Sequence, residues 1–129
     1  MSTYQDDAAR TECRYTADQS RRATAEMRAL HACLGLATEV GELTDVYKKF
    51  VFYGKPIDFV NVAEEIGDVM WYLAIICNDL EISFDEIQQQ NIAKLRKRFP
   101  DKFTETEANV RDLEAEREIL EGYKPCQNQ

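Results

Sequence analysis

Between residues 17 and 52 the chain has no proline, and Leu36, Val40, Leu43, Tyr47 and Phe50 recur at intervals of three and four. That period gathers them on one face of a long amphipathic α-helix. Five glycines and three prolines in 129 residues leave few breakers elsewhere, so helices dominate the expected fold. Gly35 and Gly41 lie inside the long segment at a cost of up to about 1 kcal/mol each relative to alanine, which suggests a bend or the close approach of another backbone. Tyr53-Gly54-Lys55-Pro56 ends it. Gly54 suits a left-handed helix cap, and Pro56 cannot continue the helical hydrogen bonding.

Asp58 is a natural N-cap for a second helix running to about Leu80, with Val62, Ala63, Ile66, Val69, Met70 and Leu73 on one side. After Asp68 this segment is apolar nearly all round, the pattern of a helix buried in mid-bundle or at a subunit interface. Ser83-Phe84-Asp85-Glu86 is a capping box for a third helix, with Ile87, Ile92 and Leu95 inward, that stops before Pro100. Thr104-Glu105-Thr106-Glu107 opens a charged fourth helix to about Glu121, whose apolar stripe is only Val110, Leu113 and Leu120. A short helix is also expected within the first 16 residues. The fold expected is all-α, an antiparallel helical bundle. It forms one domain over residues 1–129, with its core at 17–103, the charged helix at 104–121 and a tail at 122–129. The thin fourth helix suggests completion by a second subunit.

A net charge of −8 and a pI near 4.7 argue against a sequence-independent grip on DNA or RNA, which clustered Lys and Arg provide. Free nucleotides stay open, since a metal ion shields their phosphates. The longest apolar run, Val69 to Cys77, has nine residues against the roughly 20 of a membrane-spanning helix. Cys13, Cys33, Cys77 and Cys126 form no C-x-x-C pair, so reduced thiols are expected, with Cys33 and Cys77 as small core residues. The polar first residues carry no apolar signal core, and a cytoplasmic location follows as an expectation.

Within the two most apolar stretches stand two matched acid pairs, Glu39 with Glu42 and Glu65 with Asp68. Residues three apart on a helix point the same way, so each pair is a two-toothed claw. A buried ionised carboxylate costs several kcal/mol even after relaxation, so acids converging between helices call for a cation. Oxygen-only ligands favour Mg²⁺, with Mn²⁺ as substitute, and such ions share their coordination sphere with phosphates. The bland alternative is that each pair is a solvated face, the usual fate of a lone E-x-x-E. Glu64 points off its claw, as a surface acid or an auxiliary base.

A di-iron bundle would take Glu-x-x-His pairs, whereas the single histidine, His31, has Arg28 three residues before it. His31 reads better as a structural residue. Asn91, Lys94 and Arg98 fall on one face of the third helix, either as a phosphate-binding row or as a solvated basic face. Lys48, Lys49 and Lys55 lie near the first hairpin and reach toward a phosphate or simply toward solvent. Tyr72, one turn after Asp68, either meets a substrate or packs with Trp71.

The segments LHACLGLATEVGEL (30–43), KKFVFYGKP (48–56), NVAEEIGDVMWYLA (61–74) and NIAKLRKRFPDKF (91–103) together resemble the MazG-like branch of the all-α nucleoside triphosphate pyrophosphatase superfamily. The resemblance covers roughly residues 29 to 104. It implies a helical bundle that hydrolyses a nucleoside triphosphate to the monophosphate and pyrophosphate; which base and sugar it prefers is not set by the resemblance, and deoxynucleotides are the expectation. By position it makes Glu39, Glu42, Glu65 and Asp68 ligands of Mg²⁺, and Tyr72, Asn91, Lys94 and Arg98 contacts of the nucleotide; Lys48 joins these contacts from its place near the hairpin. Glu39 is then the first choice to deprotonate the attacking water, and Lys94 or Arg98 to take up the charge of the leaving pyrophosphate. Similar proteins assemble as homodimers or homotetramers. Several carry an acid immediately before the first claw, where this chain has Thr38. Two other readings stand beside the enzyme: a non-catalytic nucleotide or Mg²⁺ binding module, and a structural helical dimer whose acids face water.

Overall fold

The computed structural model describes residues 2–13 and 25–122, and all regular structure among them is helical. The expected start of the long helix near Ala17, the tail beyond Gly122 and Cys126 lie outside the described residues. The chain folds as two compact units, residues 1–80 and 81–129.

The first unit holds α1 (Tyr4–Ala9), α2 (Ala25–Tyr53) and α3 (Phe59–Asp79). The expected short N-terminal helix is α1, opened by a capping box. Thr3 Oγ1 accepts from Asp6 N at 3.2 Å, and Asp6 Oδ2 accepts from Thr3 N at 2.7 Å. A short helix is marginal alone, and this one is held by α3. Gln5 Nε2 donates to Asn78 Oδ1 at 3.0 Å, and Asn78 Nδ2 donates to the Gln5 carbonyl at 3.1 Å. Just beyond α1, Trp71 Nε1 donates to Thr11 Oγ1 at 2.8 Å, while Arg28 of α2 grips Glu12 through Nε at 2.6 Å and Nη2 at 2.7 Å.

Gly54 sits at φ +63°, the left-handed conformation that a side chain disfavours, and turns α2 back toward α3. Asp58 Oδ1 then accepts from Val60 N at 3.0 Å and Asn61 N at 3.3 Å, which starts α3 where expected. Ala8, Ala32, Ala74 and Ile75 form the buried core, with Trp71, Tyr72 and Ile76 packed against it. Gly35 is the close approach that was anticipated, but to a side chain: a Cβ there would stand 2.1 Å from the Tyr72 ring. A Cβ at Gly41 would meet nothing within 4 Å.

Two packing expectations are corrected. The inward stripe of α3 is Trp71, Ala74, Ile75 and Cys77, while Ala63, Ile66 and Met70 are exposed, as are Val40, Tyr47 and Phe50 of α2. A helix apolar nearly all round offers several stripes, and periodicity does not say which one the neighbouring helix covers. Cys77 is buried as expected, whereas Cys33 is exposed.

The second unit holds α4 (Phe84–Arg98), α5 (Glu105–Asn109) and α6 (Leu113–Glu121). Ser83 Oγ accepts from Glu86 N at 3.2 Å and Thr104 Oγ1 from Glu107 N at 3.2 Å, so both expected caps form. The charged helix over 104–121 is interrupted, however. Asn109 Nδ2 donates to the Glu105 carbonyl, Val110 leaves helical geometry at φ −107°, ψ 89°, and Asp112 Oδ1 caps a new helix at Ala115 N. Asn and Asp side chains compete with the helical backbone for its hydrogen bonds. Val110, Leu113 and Leu120, the stripe read from the sequence, are exposed.

What ties α6 to α4 is an ion pair. Glu116, 4% exposed, accepts from Arg98 Nε at 2.7 Å and Nη2 at 2.5 Å, and from Arg111 Nη2 at 2.7 Å. These donors, Arg98 foremost, pull its carboxyl from the usual 4.5 to about 2. A lowered folded-state value means the contribution to stability is complete above pH about 4.5 and fades as the pH drops toward 2. Glu116→Gln is therefore expected to melt below the wild type near neutral pH, with a gap that closes on acidification. Thermal melts of both proteins from pH 7 to pH 3 check this; a gap independent of pH would contradict it.

Candidate metal centre

The α2–α3 hairpin brings the two claws together. One carboxylate oxygen each from Glu39, Glu42 and Glu65 lies within 4.8 Å of the other two. Glu65 is 5% exposed, Glu39 half-buried and Glu42 exposed. Asp68, one turn after Glu65, is exposed and outside this trio, yet its charge reaches Glu39. Burial first, then the charges of Glu42, Asp68 and Glu65 and a hydrogen bond with Glu65, raise the Glu39 carboxyl above its ordinary value. Like charges held together ionise reluctantly.

Among the described residues no Lys or Arg forms an ion pair with Glu39, Glu42 or Glu65. The contrast with Glu116 is instructive, since that buried acid is met by two arginines. The trio fits a divalent ion. Octahedral Mg²⁺ at about 2.0–2.1 Å sets neighbouring ligands roughly 3 Å apart and opposite ones roughly 4.2 Å apart, so modest side-chain rotation closes the cluster on one cation. Its oxygen-only donors suit Mg²⁺ or Mn²⁺.

Beside the trio opens a cleft of about 470 Å³ lined by Thr38, Gly41, Glu42, Asp45, Val46, Lys49, Asn61 and Glu65. Thr38 donates its hydroxyl to the Gly35 carbonyl at 2.7 Å. Asp45 and Asn61 were not singled out in the sequence. Asp45 continues the strip of Glu39 and Glu42 by a further three residues, and Asn61 lies four before Glu65, so helical spacing was the available signal for both. Asp45 pairs with Lys48 and, at 2.5 Å, with Lys49, and hydrogen bonds from the two lysines lower its carboxyl. Lys49 lines the cleft; Lys48 does not.

Tyr72 packs edge-on against Trp71 at 4.9 Å and His31 at 5.9 Å, with its ring over Gly35. Burial, followed by the charges of Glu39 and Asp68, pushes its hydroxyl up. It is a helix-interface residue next to the acids, and His31 is half-buried beside it. In the second unit Asn91 is exposed and Lys94 half-buried on α4, while Nε and Nη2 of Arg98 are committed to Glu116. Glu64 is exposed, off the claw.

The family model described as the MazG nucleotide pyrophosphohydrolase domain matches residues 29–103. The chain belongs to this family. The MazG segment runs through most of α2, all of α3 and all of α4, crosses the boundary between the two units, and contains every acid of the centre together with Asn61, Asn91 and Lys94. The sequence is also similar to the Gene 37 protein of Mycobacterium phage L5, at 33% identity over 75 residues, 53% of this chain and 63% of that protein. The chain thus spans less than two thirds of that relative's length. No solved structure matches it. No helix among the described residues is long and apolar enough to cross a membrane.

Proposed function

We propose that the protein is a Mg²⁺-dependent nucleoside triphosphate pyrophosphohydrolase, acting by preference on deoxynucleotides and releasing the monophosphate and pyrophosphate. The observation that carries this reading is the convergence of Glu39, Glu42 and Glu65 from two helices, with no Lys or Arg paired to them among the described residues, inside a segment matched by the MazG family. Glu42, Glu65, Asp68 and Glu39 would hold the ion, Mg²⁺ or Mn²⁺ in its place. When bound, the ion neutralises the triphosphate and the charge that develops at the α phosphorus. Glu39, a member of the trio, takes the proton of the attacking water. The water oxygen bonds to the α phosphorus as the bond from that phosphorus to the bridging oxygen breaks, and pyrophosphate departs. Lys94 offsets its charge, and Asn91 contacts the nucleotide. Lys48 is a weaker contact because Asp45 engages it.

On this reading residues 1–129 are a single MazG-like domain, and the protein works in the cytoplasm, that of the host where it is virally encoded. The exposed Ile66, Met70, Phe50, Phe52, Phe59 and Val60 support assembly as a homodimer or homotetramer. Incubation of the purified chain with Mg²⁺ and each ribo- and deoxyribonucleoside triphosphate tests the activity. Equimolar monophosphate and pyrophosphate are expected, highest with deoxynucleotides. Release of diphosphate and orthophosphate, or nucleotide binding without any product, contradicts the reading, the latter in favour of a non-catalytic module.

A further inference from the structure

We infer that Asn61 is the positioning residue of the metal centre, its side-chain amide holding the Glu65 carboxylate in the orientation that faces Glu39 and Glu42. The inference rests on the reading of those acids as ligands of a divalent cation. Asn61 Nδ2 donates to Glu65 Oε1 at 2.7 Å. A carboxylate only accepts, so the amide nitrogen, not its oxygen, must face Glu65. Asn61 is itself anchored, because it occupies the first turn of α3 with its backbone N–H on the Asp58 cap at 3.3 Å. It is half-buried, and it lines the same cleft as Glu42 and Glu65.

Chemistry explains why an amide stands there. Glu65 is almost wholly buried beside two other acids, and like charges held this close oppose the convergence that a cation needs. A lysine or arginine in place of Asn61 would hold Glu65 by neutralising it, as Arg98 and Arg111 do for Glu116, and would compete with the ion. An uncharged donor fixes the carboxylate and leaves its charge for the metal. Donors behind metal ligands are typically worth about 10–100-fold in affinity.

The test is Mn²⁺ titration of the full-length chain by calorimetry without nucleotide, on the wild type, Asn61→Ala and Asn61→Asp, with helicity followed by circular dichroism. Asn61→Ala is expected to stay helical and bind Mn²⁺ about 10–100-fold more weakly, with kcat recovering at raised Mn²⁺. Asn61→Asp separates positioning from charge. If the cluster binds metal only through its accumulated negative charge, a further carboxylate tightens binding; if donation to Glu65 matters, the loss of the N–H weakens it. An unchanged Mn²⁺ affinity in Asn61→Ala, or a tighter one in Asn61→Asp, overturns the inference while leaving the reading of the acids intact. Failure of the wild type itself to bind Mn²⁺ overturns both.

Discussion

A Glu65→Gln variant is expected to keep its helices, lose divalent-metal binding and slow pyrophosphate release by on the order of 10²–10³-fold, the range seen when one preorganised electrostatic group is removed from a reacting centre. The substitution keeps the volume of the side chain, and the glutamine oxygen still accepts from Asn61 Nδ2 where Glu65 Oε1 does now at 2.7 Å. What changes is charge. A neutral amide is easier to bury than a carboxylate, and its presence removes one of the negative neighbours that raise Glu39. Without metal the variant should therefore melt at or above the wild-type temperature. With metal the order reverses, because an ion that binds only the folded chain adds about 2.7 kcal/mol at a hundred times its Kd. Melts with and without Mn²⁺, alongside pyrophosphate assays, separate the two effects. A variant that still gains stability from Mn²⁺, or turns over at the wild-type rate, refutes Glu65 as a ligand. Activity at the expense of apo stability is the usual trade at such sites.

Local chemistry made much of this hairpin legible in the sequence. Gly54, Asp58 and Ser83 act through their own backbone or within three residues of it, so the turn after α2 and the starts of α3 and α4 follow from residue type. The claws were legible for the same reason, since spacing alone places Glu39 with Glu42 and Glu65 with Asp68 on their helices. That three of the four carboxylates converge while Asp68 stands apart depends on how α2 crosses α3, which no single-helix pattern carries. Arg98 makes the same point. Its spacing groups it with Asn91 and Lys94, but the acid that engages it lies 18 residues away. Asn61 carries only its spacing of four from Glu65 as a signal, because its role depends on which way Glu65 turns. The break before Asp112 was hidden behind a run of good helix formers, where the capping tendency of one aspartate competes with helix propensity.

The inward stripe of α3 was the least legible feature, and Ile75→Ala tests where it lies. Ile75 is the only large side chain among the described residues with no solvent exposure, and its buried neighbours Ala8, Ala32 and Ala74 are all small. Truncation leaves a cavity that alanines cannot fill by swinging inward, so the expected loss is about 2–5 kcal/mol. Against a typical total of about 5–15 kcal/mol, that is enough to weaken the pairing of α2 with α3 on which the acid trio depends. Urea denaturation should show a lower midpoint with an unchanged slope. Ile66→Ala is the informative partner, because Ile66 belongs to the stripe that periodicity favours yet is 46% exposed. If that stripe meets only a second subunit, the cost of Ile66→Ala should vary with protein concentration, since association stabilises by mass action. The cost of Ile75→Ala, internal to the unit, should not follow the same dependence. Equal losses for the two variants at every concentration would show that the Ile66 stripe lies inside the fold, and would displace the core built on Ile75.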